Sequence, residues 1–434
     1  MPGSHRAQKQ GPDGLALPVR AGSPARALPG GPPADADDSS IDVSEAYSGL
    51  DLSKPSKLAR LRRKVMSVQQ LWIWPFTHYK PTNQVMLCYR TLFQDLRQPG
   101  ANDDHLAARF RDELMPLRGW VHRKMPMLLH INKVFINAAP FGCPGIMTYL
   151  DARTRWLDEE VLAAQGAGAK QVVVVAAGFD TRAYRLRAPG VSFFEVDLPE
   201  ASERKRKLVD RTLPAEQYPR PTYIAADLSR VSLADALLGR CGSDAGSEAD
   251  SNGSSGGAFR HQSTTTISNN GSLSNAGSGS SAAQRPDQPK SARSIFSAVG
   301  GTGFNPRVKT LFTVEGLLYY LPPEAVTRLL KSIRSIAAPG SRVAFDFLHA
   351  DVFSGKRYAP GYETLRLTVK NKGEPKRSGL DPATLRPYLA SLGWRLTYMP
   401  KPKDVAAAMY PDAGWSRLNP VLPPFYNFAV AETM

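Results

Sequence analysis

The sequence has few of the residues that build covalent or metal-bound scaffolds. Only three of its 434 residues are cysteines and seven are histidines, and none of them forms a CxxC, HExxH or HxH arrangement. We therefore expect neither a disulfide framework nor a structural zinc site, and no metal. The low cysteine content favours a reducing compartment, so the cytoplasm is the expected location.

Long apolar runs are also missing. The most hydrophobic stretch, residues 172–179, is far shorter than the ~20 residues that a membrane-spanning helix needs, and it stops at Asp180. We therefore expect no transmembrane segment.

Two segments are too poor in apolar residues to belong to a folded core. Residues 1–40 are rich in glycine, proline and alanine, which predicts a disordered tail over 1–50. The basic bias of this tail leaves targeting to an organelle, a plastid or mitochondrion, as an alternative. Residues 239–300 contain 15 serines and 10 glycines, a composition typical of a disordered insertion. Closure of a long loop costs little more than closure of a short one, so this insertion can interrupt a single domain.

The rest of the sequence alternates between β-branched runs and helical segments. Strands are predicted at residues 171–175, 191–196, 222–226, 308–314, 342–347, 394–399 and 425–431. Helices are predicted between them, notably over 199–209 and 323–336. This alternation indicates an α/β fold with a doubly wound sheet, in which ligands bind at the carboxyl ends of the strands.

Small or acidic residues follow the first four predicted strands. The first strand is followed by a turn of small residues at 176–178. This turn matches neither the GxGxxG motif nor a P-loop, which argues against a dinucleotide- or triphosphate-binding protein. The second strand leads to Asp197, nineteen residues after Gly178, where a carboxylate can accept hydrogen bonds from both hydroxyls of a ribose. Asp227 and Glu315 follow the next two strands. A helix cap would explain one such acid but not the repeated pattern.

Four sequence strings, in this order, resemble one family. They are VVVVAAGFDTRAYRL at 172–186, FFEVDLP at 193–199, AADL at 225–228 and VEGLLYYLP at 314–322. Together they resemble the leucine carboxyl methyltransferase-like family of S-adenosylmethionine-dependent O-methyltransferases, over residues 104–347 apart from the insertion. The resemblance implies a class I methyltransferase fold, Rossmann-like, with seven strands and a reversed C-terminal hairpin. It also implies S-adenosyl-L-methionine as the cofactor.

The resemblance assigns the methionine end of the cofactor to the first and fourth strands. Gly178 and its neighbours Ala176 and Asp180 would pass under the methionine part, and Glu315 would meet its ammonium group. Family members usually have a glycine where this chain has Ala176. The added methyl group restricts positive φ, so a left-handed conformation or a cofactor contact at this position would weaken binding.

The same resemblance assigns the binding of the adenosine end of the cofactor to the residues that follow the second and third strands. Asp197 would hold the ribose, and Asp227 with Leu228 would contact the adenine. The resemblance names no catalytic base.

An arginine before the first strand would anchor the cofactor carboxylate in this family, and here it would be Arg153. The spacing of Leu150, Arg153, Leu157 and Val161 independently predicts a helix with Arg153 inside its apolar stripe. A guanidinium in such a stripe needs a partner, and a carboxylate fits it in a bidentate geometry. The alternative partner is an internal acid such as Asp180.

The resemblance also implies the acceptor, a carboxylate on a small molecule or a protein C-terminus. Such a group is ionised near neutral pH, so methyl transfer to it needs alignment and exclusion of water rather than a general base. Tyr319 and Tyr320 either orient the acceptor or only pack. Two alternatives remain: a tRNA-modifying methyltransferase, and a degenerate cofactor-binding member that acts through partners.

Residues 51–145 are expected to form a helical cap on the acceptor side of a methyltransferase domain at 146–434. Residues 51–135 carry 15 basic and 6 acidic side chains, +9 of the chain's net +16. Three-four spacing within 57–76 predicts a basic amphipathic helix. Its apolar face either packs on the domain or contacts an anionic membrane surface. Nucleic acid is the least favoured partner, since no RNA-binding motif is present.

Overall fold

The computed structural model describes residues 82–137, 142–240, 301–371, 373–411 and 422–434. The predicted tail at 1–50, the basic segment at 57–76 and residues 241–300 of the insertion lie outside these described residues. No helix among the described residues is long and apolar enough to cross a membrane.

Seven strands form one mixed sheet. They are β1 Gln171–Val175, β2 Ser192–Asp197, β3 Thr222–Ala225, β4 Thr310–Val314, β5 Arg342–Leu348, β6 Trp394–Tyr398 and β7 Tyr426–Thr433. Their order across the sheet is β3-β2-β1-β4-β5-β7-β6. The first five strands pair in parallel, whereas β7 runs antiparallel to both β5 and β6. The doubly wound sheet of a class I methyltransferase with its reversed C-terminal hairpin is thus confirmed.

Helices surround this sheet and precede it. Before β1 lie α1 Thr82–Asp95, α2 His105–Leu114, α3 Pro116–Lys124, α4 Pro126–Asn137 and α5 Ile146–Gly166. The short α6 Arg182–Arg185 follows β1, and further on come α7 Pro199–Thr212, α8 Leu233–Leu238, α9 Pro323–Ile336, α10 Ala350–Ser354, α11 Tyr362–Asn371, α12 Leu385–Ser391 and α13 Pro402–Met409. A single 3₁₀ turn, Leu318–Tyr320, follows β4.

The sheet separates two hydrophobic clusters. All five residues of β1 are buried, because Val172 and Val174 pack into one cluster and Val173 and Val175 into the other. Burial on both faces accounts for the unbroken β-branched run in the sequence. The first cluster also contains Leu87 of α1, so the helices before β1 share a core with the sheet.

The insertion leaves and re-enters the fold at one place. A Cβ placed on Gly239, just after α8, would lie 3.8 Å from the Cα of Gly301. The Thr302 hydroxyl donates a hydrogen bond to the Leu237 carbonyl, which ties the two flanks together. The strands before and after the insertion belong to one sheet, as predicted.

Candidate active site

The turn after β1 has an open, left-handed backbone. Ala176 has φ of +52° and Gly178 a φ of +45°. A Cβ on Gly178 would meet nothing nearer than the Ala176 carbonyl oxygen, at 4.0 Å. The left-handed conformation costs a non-glycine residue roughly 1–2 kcal/mol. Ala176 therefore replaces the usual glycine at a position whose backbone conformation favours glycine. The space beside Gly178 is free for a ligand.

Asp197 connects the ends of β1 and β2. Its Oδ2 accepts the Gly178 backbone N–H at 2.6 Å, and its Oδ1 accepts the Leu198 N–H at 2.8 Å. An ionised carboxylate offers about four lone-pair positions, so both oxygens can still accept further hydrogen bonds. The next side chain, Leu198, is 46% exposed and leaves an apolar surface beside this carboxylate.

Asp227 and Leu228 lie beyond the end of β3, which stops at Ala225. The Asp227 carboxylate accepts hydrogen bonds from the backbone N–H and the hydroxyl of Ser229, at 2.9 and 2.7 Å. These bonds lower its pKa. Leu228 is half-buried against the second hydrophobic cluster. Asp227 is thus positioned by its own turn at the edge where Asp197 lies.

Glu315, directly after β4, is surrounded by three guanidinium groups. Its Oε1 accepts from Arg90 Nη2 at 2.9 Å and from Arg153 Nε at 3.1 Å, and its Oε2 accepts from Arg182 Nη1 at 2.6 Å. Burial alone would raise the pKa of Glu315, but Arg182, Arg90 and Arg153 outweigh it and hold the pKa well below its usual range. Glu315 is therefore an anion in the folded protein.

Arg153 lies on α5 within the predicted apolar stripe and is 8% exposed. Besides Glu315, its Nη1 lies 3.2 Å from the Tyr319 hydroxyl and 3.5 Å from Oδ2 of Asp346. The internal salt bridge considered as the alternative is present, but Asp180 is not its partner, because Asp180 accepts from Arg182 of the same turn. The carboxylates beside β4 and in β5 are the internal partners of Arg153.

Arg182 continues this network toward α5 and α6. It is 1% exposed, and its Nε donates to Asp158 at 2.7 Å. Asp158 also pairs with Arg185 at 2.8 Å, and Arg185 Nε lies 3.0 Å from Asp104. The residues so joined form the buried ion cluster: Arg90, Arg153, Arg182 and Arg185 with Asp104, Asp158, Asp180, Glu315 and Asp346. Four cations against five anions leave one negative charge in excess.

A buried lysine that the sequence did not single out lies next to this cluster. Lys376 Nζ is 4.6, 5.2 and 5.3 Å from the ring centres of Tyr426, Tyr362 and Tyr319, and it donates a hydrogen bond to the Tyr426 hydroxyl. Among the described residues, no carboxylate forms an ion pair with it. Burial lowers the pKa of Lys376 to about 7, against the attraction of Cys143 and Asp346.

Backbone contacts fix the loop that carries this lysine. The Arg377 N–H donates to the Tyr319 carbonyl at 2.7 Å, and the Ser378 hydroxyl donates to the Leu318 carbonyl at 3.0 Å. Tyr319, predicted only as an orienting or packing residue, contacts both Arg153 and Lys376. Neither Arg90 nor Lys376 belongs to a sequence motif, so only the tertiary structure identifies them.

The residues at this edge fit S-adenosyl-L-methionine. The methionine part of that molecule has one carboxylate, one ammonium and one sulfonium, a net charge of +1, and the buried ion cluster has a formal charge of −1. Gly178 opens on free space, Asp197 retains acceptor capacity, and Leu198 offers apolar surface. No group of three histidine, cysteine or acidic side chains placed to hold a metal ion occurs in the part of the chain that the structure describes.

The sequence matches a family profile over the same region. The profile of the family described as leucine carboxyl methyltransferase aligns with residues 85–249 and 289–334. A candidate S-adenosyl-L-methionine-dependent methyltransferase of Mycolicibacterium smegmatis is 29% identical over 264 residues, which cover 58% of this chain and 64% of the relative. One from Mycobacterium marinum is 29% identical over 283 residues, 62% and 65% of the two chains. The matched stretch thus spans slightly less than two thirds of these relatives.

Solved structures are similar only at a low level. A methyltransferase candidate from Thermobifida fusca has a TM-score of 0.40 at 14% identity, and covers 75% of this chain and 94% of its own. A DUF574 family protein from Streptomyces avermitilis has a TM-score of 0.41 at 13% identity, with 76% and 97% covered. The fold assignment therefore rests on the strand order above. Four motifs in order, that strand order and the profile match agree: over residues 85–249 and 289–334 the chain is similar to the leucine carboxyl methyltransferase family.

Proposed function

We propose that this chain binds S-adenosyl-L-methionine at the carboxyl ends of β1, β2 and β4 and transfers its methyl group to an ionised carboxylate. The observation that carries the proposal is the meeting of three features at one sheet edge. These are the open turn at Gly178, the carboxylate of Asp197 and the paired charges of Arg153 and Glu315. Ligands of open parallel sheets bind at this edge.

At the adenosine end, Asp197 accepts hydrogen bonds from the ribose hydroxyls while its present bonds to Gly178 and Leu198 hold it in place. Leu198 and Leu228 contribute apolar contacts to the adenine ring. Because Asp197 is already oriented by two backbone N–H groups, little side-chain entropy is lost when the ribose binds.

At the methionine end, binding exchanges one ion pair for two. Arg153 and Glu315 now neutralise each other at 3.1 Å. The cofactor carboxylate would take the guanidinium of Arg153, and its ammonium would take an oxygen of Glu315. The guanidiniums of Arg90 and Arg182 still contact Glu315, so this exchange leaves neither charge without a partner.

The carboxylate acceptor is supported by Lys376. A buried ammonium without a carboxylate partner among the described residues matches an incoming anion, and Tyr319, Tyr362 and Tyr426 give that anion an aromatic surround. The sulfonium supplies an activated methyl group. The task of Lys376 and Tyr319 is to hold the acceptor oxygen in line with it and to exclude water.

A calorimetric titration with S-adenosyl-L-methionine tests the cofactor part. We expect the wild type to bind, and Asp197→Ala to bind ~5- to 150-fold more weakly through loss of charged hydrogen bonds worth ~1–3 kcal/mol. Glu216→Ala, an exposed acid on the surface, is the matched control and should bind like the wild type. Equal affinities for all three proteins would contradict the assignment of Asp197.

The acceptor part needs a transfer assay with labelled cofactor. Small aliphatic and aromatic carboxylic acids, peptides with free C-termini and tRNA are offered in parallel. We expect methyl esters from a carboxylate acceptor, with a raised KM in Lys376→Met. Transfer to tRNA alone would replace the carboxylate proposal by nucleic-acid modification. Cofactor binding without transfer to any of them would favour a member that acts through partners.

A further inference from the structure

The cap helices α3 and α4 expose an unusual amount of apolar surface. Seven of the twelve large apolar side chains that are exposed among the described residues fall between positions 117 and 135. Six of them, with exposed fractions of 40–75%, define the cap surface: Leu117, Trp120, Met125, Met127, Leu128 and Ile131. Folded monomers seldom leave such clustered apolar area in water without a binding role.

This surface is one side of an amphipathic arrangement. On α4, Leu129, Lys133 and Asn137 are buried at intervals of four residues, and Asn137 Oδ1 accepts the Met147 N–H at the start of α5 at 2.8 Å. Leu128 and Ile131 lie on the opposite side of the same helix, three residues apart. The helix is therefore fixed to the fold by one face while the other presents apolar side chains to solvent.

The charge around the cap surface has one sign. Between Pro116 and Asn137 there are four arginines and lysines and no acidic residue. Arg123 is paired with Asp112 of α2, and Lys133 is buried over the Phe93 ring at 5.0 Å, but Lys124 is exposed beside Met125. The stretch 116–137 thus carries a net +4, so the electrostatic field around this surface attracts anions.

We infer that the cap surface binds an anionic lipid surface, with Trp120, Met127 and Ile131 inserted at the level of the headgroups. Apolar side chains with a tryptophan, flanked by cations, are the combination that binds helices in the plane of a membrane interface. A second copy of this chain fits less well, because a symmetric contact would bring two stretches of net +4 together. Residues 51–81 fit less well for the same reason, since they hold seven basic residues and one acid.

Sedimentation of the full chain with vesicles tests this inference. We use phosphatidylcholine vesicles with and without about 30% phosphatidylserine, a strongly anionic composition. The wild type should sediment with the anionic vesicles and bind the neutral ones at least about tenfold more weakly. The triple variant Trp120→Ser, Met127→Ser, Ile131→Ser should lose about tenfold or more of the anionic binding. The matched control replaces three other exposed apolar residues, Leu162→Ser, Tyr358→Ser and Leu367→Ser, and should bind like the wild type.

Three results would overturn the inference. One is a wild type that stays in solution with anionic vesicles. A second is equal vesicle binding by the two triple variants, which would place the contact elsewhere, for example in residues 57–76. The third is a wild-type dimer that the cap-surface variant converts to a monomer, because a second copy would then be the occupant. Circular dichroism melts of both variants verify that each is folded before the vesicles are added.

Discussion

Replacement of Lys376 by methionine should stabilise the protein, although it removes the group that we assign to the acceptor. Lys376 as a whole is 8% exposed, and burial lowers the pKa of its amino group to about 7. The difference between this pKa and the ordinary lysine pKa of about 10.4 corresponds to roughly 4–5 kcal/mol of destabilisation of the charged form. Methionine also loses the hydrogen bond that Lys376 donates to the Tyr426 hydroxyl, and this loss offsets roughly 1–3 kcal/mol of the gain. A gain of roughly 2–3 kcal/mol is therefore expected at pH 7.

The pH dependence distinguishes this cause from a simple packing change. Because the pKa of Lys376 is lower in the folded than in the unfolded protein, its cost is fully present below about pH 7 and disappears as the pH rises toward the unfolded value near 10.4. The stability advantage of Lys376→Met should thus shrink by up to about 1.4 kcal/mol per pH unit above neutrality.

Urea unfolding at several pH values between 7 and 10 measures this difference in stability between the two proteins. Lys356→Met, at an exposed lysine, is the control and should track the wild type. The reasoning is refuted if Lys376→Met is less stable than the wild type at pH 7, or if the difference between them stays constant with pH.

Three further perturbations have defined outcomes. Arg182→Met should cost about 3–5 kcal/mol in urea unfolding, because it removes the buried partner of Asp158, Asp180 and Glu315; a loss below ~1 kcal/mol would show that the ion cluster contributes little. Ala176→Gly should stabilise the turn by about 1 kcal/mol and strengthen cofactor binding, whereas Ala176→Val should do the opposite in the same assays. Deletion of residues 242–297 should leave the melting temperature and cofactor affinity unchanged, since Gly239 and Gly301 already meet; loss of the fold would show that the segment is not a loop.

The strands could be predicted closely because burial on both faces demands an unbroken apolar run. β1 was predicted to the residue, as was α9. The observed strand ends differ from the predicted ones where backbone pairing, rather than side-chain burial, determines the end of the strand. The N–H of Val191 bonds to the Ala188 carbonyl in a turn, so β2 begins one residue later, and it ends one residue later because Asp197 pairs with Ala225. β7 continues to Thr433 because the polar Glu432 still pairs with Arg342 across the sheet.

The sequence predicted which residues belong to the site better than it predicted which of them contact each other. The apolar stripe of α5 revealed Arg153, and strand ends revealed Asp197 and Glu315. Which acid pairs with which arginine depends on distances that no local pattern encodes. Arg182 reaches Asp180 two residues away, whereas Arg90 reaches Glu315 across 225 residues.

Glu315 joins the cap to the sheet, and this has a consequence for ligand binding. Its Oε1 accepts from both Arg90 of α1 and Arg153 of α5, and Arg90 also lies 3.4 Å from Asp104. A buried carboxylate that loses its only partner is destabilising by several kcal/mol. Here a ligand that takes Arg153 leaves Glu315 with Arg90 and Arg182, so its charge stays compensated. The duplication of guanidiniums therefore lets Arg153 change partners while α1 remains fixed over β4.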